Sequence, residues 1–132
     1  MIFEYKFNIY YEDTDSGGVV YYANYLKFIE RARTDLIQKL GFSLNQLSSE
    51  LDSLFVVKKI SCEYLTSARL EDELIVKTKI LEVKNASFTL SQNILKSEKL
   101  IFTSEILMVC INSNGKPVKI PKKLSHLLIQ NG

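Results

Sequence analysis

Histidine is nearly absent from this chain. There is one, His126, alongside two cysteines, two prolines and no apolar run approaching the length of a membrane span. Each scarcity removes a class of chemistry. Cys62 and Cys110 fall in beta-favouring runs with no metal-ligand spacing and no neighbouring histidine, so they read as buried free thiols rather than zinc ligands. His126 follows Pro121 in a short helical segment with Leu124, Leu127 and Leu128 on one side, which makes it a surface residue rather than a catalyst. Neither sign of charge dominates: 17 Lys plus Arg stand against 15 Asp plus Glu, dispersed along the chain, and leave no electrostatic footprint for nucleic acid or an anionic membrane. Met1 to Lys6 has no basic region leading into an apolar core, so the expected location is cytoplasmic, with no integral membrane segment. No repeat, low-complexity tract or linker breaks the 132 residues, and a 46% hydrophobic content is enough for a single domain over 1–132 with a real core.

What is present is organised around Tyr10 to Leu40. From residue 2 to 12 the sequence alternates: Phe3, Tyr5, Phe7, Ile9 and Tyr11 face one way, and Glu4, Lys6, Asn8, Tyr10 and Glu12 the other, which predicts a first strand. Beyond an acidic, glycine-bearing turn the period changes. Tyr25, Leu26, Phe28, Ile29, Ala32, Leu36, Ile37 and Leu40 recur as they would on a helix burying one broad face, with Gly41 as its stop. Those positions cover roughly half the circumference at about 100° per residue, so a sheet is expected to wrap around this helix. Ser43 to Leu51 predicts a short second helix capped by Ser43.

Four beta-favouring runs follow, Leu54 to Leu65, Glu73 to Lys84, Ala86 to Lys96 and Leu100 to Ile111, mostly joined by turns short enough for antiparallel pairing. One strand, one long helix and four strands predict an α+β layout with a single five-stranded antiparallel sheet. One helix leaves apolar sheet surface uncovered, so a homo-oligomer is expected.

The junction runs Glu12-Asp13-Thr14-Asp15-Ser16-Gly17-Gly18. Paired glycines allow backbone N–H groups to turn toward a ligand, and the following helix brings unpaired donors and a positive dipole end to the same place. A carboxylate facing an oxyanion site suits hydrolysis of an activated acyl group, with Asp15 as nucleophile or general base. The simpler account is that Asp13, Thr14, Asp15 and Ser16 cap the helix and shape the turn. A metal-holding pair of Asp13 and Asp15, as in a phosphatase, lacks any matching acidic cluster later in the chain.

Tyr11-Glu12-Asp13-Thr14-Asp15, then Gly18-Val19-Val20-Tyr21, Asn24-Tyr25 and Glu30-Arg31-Ala32-Arg33, resemble the signature of the 4-hydroxybenzoyl-CoA thioesterase family, and within it the small acyl-CoA thioesterases of bacterial Tol-Pal clusters. The resemblance continues through Phe55-Val56-Val57, Glu63-Tyr64-Leu65 and Ala68-Arg69-Leu70, nearly the whole length. It implies a hotdog fold, a five-stranded antiparallel sheet wrapped around one long central helix, built into dimers and often into tetramers with sites between subunits. It also implies hydrolysis of an acyl-CoA thioester, with acyl carrier protein as the alternative thiol carrier, without metal or cofactor. By position, Asp15 is the catalytic carboxylate, the backbone N–H of Tyr22 polarises the carbonyl, and Gly17, Gly18, Val19 and Tyr25 meet the substrate, with Asp13 left as a turn residue. Two departures stand out: Tyr22 occupies a place where relatives usually carry histidine, and Ser67 one where they often carry proline.

Arg33 falls inside the helix's apolar arc, which predicts an ion pair with a carboxylate such as Glu30 or Glu63, or a contact between subunits. Lys58, Lys59, Arg69 and Lys84 are candidates for coenzyme A phosphates, against a background in which such residues are usually solvated surface. The rival functions are a non-catalytic acyl-CoA or acyl-carrier-protein binding scaffold and a hotdog dehydratase, whose histidine-acid chemistry has no histidine here near Asp15.

Overall fold

The computed structural model describes residues 1–132. The elements are β1 (Ile2–Asn8), α1 (Asn24–Lys39), α2 (Leu44–Leu51), β2 (Leu54–Tyr64), β3 (Glu73–Val83), β4 (Ser87–Lys96), β5 (Lys99–Ile111) and α3 (Lys122–Gln130). The strands form one antiparallel sheet in the order β1-β3-β4-β5-β2, an α+β architecture.

Strand alternation sends one set of side chains into the core: Leu74, Val76, Thr78 and Ile80 from β3, Phe88, Leu90, Gln92 and Ile94 from β4, and Phe102, Ser104, Ile106, Met108 and Cys110 from β5 are all buried. α1 contributes Tyr25, Phe28, Ile29, Ala32, Leu36 and Ile37 to the same cluster. Each fully buried Leu, Ile or Phe contributes on the order of 2 kcal/mol, so this seam orients the helix on the sheet. Leu26, expected within the apolar arc, is 40% exposed, and Leu40 is half-buried. α2 starts where predicted, with Ser43 Oγ accepting from the Gln46 N–H at 3.3 Å. β4 turns into β5 through Ser97 and Glu98, both at positive φ (46° and 66°), the backbone of a tight two-residue hairpin. α3 buries Leu124 and Leu128 and leaves His126 exposed. Cys110 is buried and Cys62 half-buried, both free.

The first strand is shorter than its alternation predicts. β1 ends at Asn8, and Tyr11–Asp13 forms a 3-10 turn. The cause is Asp13, whose Oδ2 accepts from the Tyr10 N–H at 2.9 Å while its own N–H donates to the Tyr10 carbonyl at 3.0 Å, curling the chain out of the sheet. Tyr10 and Tyr11 are therefore exposed, and Ile9 is the last buried residue of the run.

Arg33 has no carboxylate partner. Its Nη1 donates to Oε1 of Gln92 at 3.0 Å, and Gln92, fully buried, donates through Nε2 to the Ile29 carbonyl and to Thr78 Oγ1, each at 3.0 Å. A neutral amide thus bridges helix and sheet where an ion pair was expected. Burial lowers the Arg33 pKa, and Glu30 opposes that shift.

Candidate active site

The turn between β1 and α1 is held by backbone bonds. Thr14 bridges Val20 and Val19 bridges Arg69, the Asp15 N–H donates to the Val19 carbonyl at 2.9 Å, and the Gly18 N–H returns to the Asp15 carbonyl at 3.1 Å. A small loop therefore has Asp15 at its base. Gly18 sits at φ 81°, a conformation that strains any side chain. At Gly17 an added Cβ would stand 3.2 Å from Asp15 Oδ1, so a side chain there would displace the carboxylate by a few tenths of an ångström.

Asp15 is exposed. Its Oδ1 accepts from the Gly17 N–H at 2.8 Å and, more weakly, from the Val19 N–H at 3.4 Å, while Oδ2 takes no bond within the chain. The carboxylate is oriented through one oxygen and open at the other. Asp13 is its opposite: 7% exposed, with its side chain closing the 3-10 turn and its carbonyl accepting from the Tyr21 N–H at 3.0 Å and from Asn24 Nδ2 at 2.9 Å. Asp13 ties the Asp15 loop to the start of α1.

That start differs from the sequence expectation in two ways. α1 begins at Asn24, well beyond the glycines, and no side chain caps it, so Asp13, Thr14, Asp15 and Ser16 are not its caps. The Gly17 and Gly18 N–H groups, expected to face a ligand, are consumed inside the loop by Asp15. The open donors lie in the turn just before α1: the N–H groups of Tyr22 and Ala23 meet no acceptor within the chain, while those of Asn24, Tyr25 and Leu26 bond the carbonyls three residues back. Tyr22 itself is 62% exposed.

Tyr25, expected against the substrate, is 3% exposed and stacks on Phe102 at 5.4 Å. Its hydroxyl accepts from the buried Ala68 N–H at 2.9 Å, and burial raises its pKa. It anchors the Thr66–Leu70 segment, whose Ala68 carbonyl in turn accepts from the Val20 N–H at 2.9 Å. Ser67 lies exposed in that segment, so its departure from proline touches only a surface turn. Lys58, Lys59, Arg69 and Lys84 are exposed; Lys84 pairs with Glu82 at 3.6 Å, and only Arg69 borders the Asp15 loop, through its bridge to Val19.

Two features escaped sequence reading. Tyr64, at the end of β2, donates from its hydroxyl to the Tyr22 carbonyl at 3.0 Å; its presence in the Glu63-Tyr64-Leu65 string was the available signal. At the other end of β2, residues of β2, α1 and the sheet enclose a cavity of about 430 Å³, with Arg33, Ile37, Phe55, Val57, Phe88 and Leu90 among its walls. It is apolar apart from Glu30, Arg33 and Thr34.

The antiparallel α+β sheet, with an exposed carboxylate in the turn that leads to an uncapped helix, has the architecture of thioesterase-like enzymes, and the comparisons agree. The chain matches the thioesterase-like superfamily over residues 10–128, and it belongs to that family. It is 38% identical over 123 residues to the acyl-CoA thioesterase YbgC of Haemophilus influenzae, covering 92% of this chain and 90% of that protein. To the YbgC acyl-CoA thioesterase of Helicobacter pylori it is 38% identical over 130 residues, covering 91% and 95%. Among solved structures, a probable thioesterase from Bartonella henselae superposes with a TM-score of 0.89 at 32% identity, covering 92% of this chain and all of that one.

Proposed function

We propose that this protein is an acyl-CoA thioesterase in which Asp15 is the reacting carboxylate and the Tyr22 N–H polarises the thioester carbonyl. The observation that carries the reading is the presence, in one connection between β1 and α1, of a carboxylate held by Oδ1 and open at Oδ2 and of two unused N–H donors, those of Tyr22 and Ala23, just before α1. Substrate carbonyl oxygen accepts from the Tyr22 N–H, a bond that strengthens as negative charge develops in the tetrahedral state. Asp15 either attacks the carbonyl carbon, giving an acyl anhydride that water then hydrolyses to the free acid, or takes a proton from water that attacks the carbonyl directly. Coenzyme A leaves as a thiolate, whose parent thiol pKa near ~8.5 makes a strong general acid unnecessary. Gly17, Gly18 and Val19 frame the carboxylate, and Tyr25 supports the floor of the site rather than touching substrate. The groove between α1 and β2 takes the acyl group, leading to the cavity at Arg33 and Phe55.

The fold is read as a single hotdog domain with α1 as the central helix inside the curl of the sheet. β2 is a sheet edge exposing Leu54, Val56, Val57, Ile60 and Tyr64, which supports edge-to-edge pairing with a second copy, doubled to a tetramer. No helix is long and apolar enough to cross a membrane, in keeping with a cytoplasmic enzyme. Acyl carrier protein is the alternative thiol carrier.

Thiol release measured over short, long and aromatic acyl-CoAs, with and without EDTA, tests the reading. Turnover on part of the panel, indifferent to EDTA, is the expected result. Binding without turnover on any coenzyme A or carrier-protein thioester establishes the scaffold alternative instead. Sedimentation as a 15.2 kDa monomer at micromolar concentration rules out the oligomer.

A further inference from the structure

We infer that Tyr64 is a positioning residue for this reaction, holding the Tyr22–Ala23 peptide so that the free N–H groups at the start of α1 point at the thioester carbonyl. The inference rests on the proposed acyl-CoA reaction and adds a residue from the opposite side of the site.

The hydroxyl of Tyr64 donates to the Tyr22 carbonyl at 3.0 Å. The other donor to that carbonyl is the Tyr25 N–H at 3.4 Å, a long bond between residues three apart, so Tyr64 supplies the tighter hold. On the other side of Tyr22, the Tyr21 N–H donates to the Asp13 carbonyl at 3.0 Å. The Tyr22 N–H shares its amide with the Tyr21 carbonyl, which accepts from the Asn24 N–H at 2.9 Å, so this peptide is itself anchored and lies between two others that are held. The Tyr22 carbonyl also shares its amide with the Ala23 N–H, so a hydrogen bond to the oxygen polarises the amide and makes that second free N–H a stronger donor.

The Tyr64 ring is fixed independently of its hydroxyl. It packs edge-on against Phe102 at 5.1 Å, Tyr25 at 5.3 Å and Tyr22 at 6.1 Å. Burial first, and then Cys62 and the neighbouring tyrosine hydroxyls, push its pKa upward, which keeps the hydroxyl protonated and donating at neutral pH. Removing the Tyr64 oxygen deletes the bond to the Tyr22 carbonyl, along with the hydroxyl's interaction with Cys62, and leaves the ring packing in place.

Tyr64→Phe is the test, read in three ways. In thiol release kcat falls about tenfold with KM unchanged, the consequence of losing roughly one hydrogen bond that matters in the transition state. The thermal midpoint stays within a few degrees of wild type. The carbonyl stretch of a bound ketone analogue of the substrate, with CH2 in place of sulfur, is shifted down less in Tyr64→Phe than in wild type. That third reading needs no turnover, so it decides the role of Tyr64 even if another group than Asp15 reacts. An unchanged kcat with an unchanged stretch overturns the inference, as does a rate loss that merely follows a lower midpoint while the stretch stays at its wild-type value. Failure of the wild-type protein to bind the analogue or to hydrolyse any thioester removes the proposed function, and this inference with it.

Discussion

The two ends of α1 are finished in opposite ways. At the C-terminal end Gly41, at φ 93°, sends its N–H to the Gln38 carbonyl at 2.9 Å, and Phe42 sends its own to the Ile37 carbonyl at 3.2 Å, the paired bonds of a Schellman cap. Lys39 adds a positive charge there, paired with Asp35 at 2.8 Å and donating to the Glu4 carbonyl at 2.8 Å. At the N-terminal end no side chain caps the helix and two N–H groups are left open. A helix built only for stability would satisfy both ends, since an N-cap is worth about 1 kcal/mol. Leaving one end open costs a little stability and, in the proposed reaction, keeps a positive dipole end and two donors for a developing oxyanion.

The contrast predicts that damage along the buried body and the C-terminal end appears as lost stability, and damage at the N-terminal end as lost rate. Gln92→Leu has the largest expected effect on stability. It leaves the buried Thr78 hydroxyl and the half-buried Arg33 without their partner and should cost about 3 kcal/mol in a denaturant melt, with activity per folded molecule largely kept. Gly41→Ala breaks the closed end more gently. An added Cβ meets nothing within 4 Å, so the cost is the left-handed backbone alone, about 1 kcal/mol, read as a lower thermal midpoint with unchanged thiol release. Tyr22→His and Tyr22→Phe should have the smallest effects, because both keep the backbone donor; each retains most of the wild-type rate. A large gain on introducing histidine would show that an imidazole, and not the N–H, is the functional group at that position.

Much of this contrast was legible in the residues. The apolar spacing from Tyr25 to Ile37 located the buried face of α1, and Gly41 marked its stop, because periodicity and a left-handed cap are local signals. The start of α1 was not legible. Alternation ran on through Tyr10 and Tyr11, and nothing in the pattern says that the Asp13 carboxylate will fold back onto the Tyr10 N–H and end the strand. The glycines invited a reading as ligand donors, yet Asp15 takes the Gly17 N–H itself. Arg33 suggested an ion pair because a charge in an apolar arc demands a partner; the partner is a neutral amide far along the chain, and hydrophobic pattern cannot pair distant residues. Asp13 and Asp15 look alike on the page. Only their surroundings separate them, one carboxylate tied into a turn and nearly buried, the other exposed with an oxygen free.

Asp15→Asn tests the central claim most directly. The amide oxygen can still accept from the Gly17 N–H, and the site is exposed, so the loop keeps its shape while the charge is lost. Thiol release and the thermal midpoint are measured on the same preparation against a wild-type acyl-CoA substrate. The account predicts a rate lower by at least about a hundredfold, the scale of a positioned acid-base group, with a midpoint within a few degrees of wild type. A folded Asp15→Asn protein that releases thiol at the wild-type rate would contradict it.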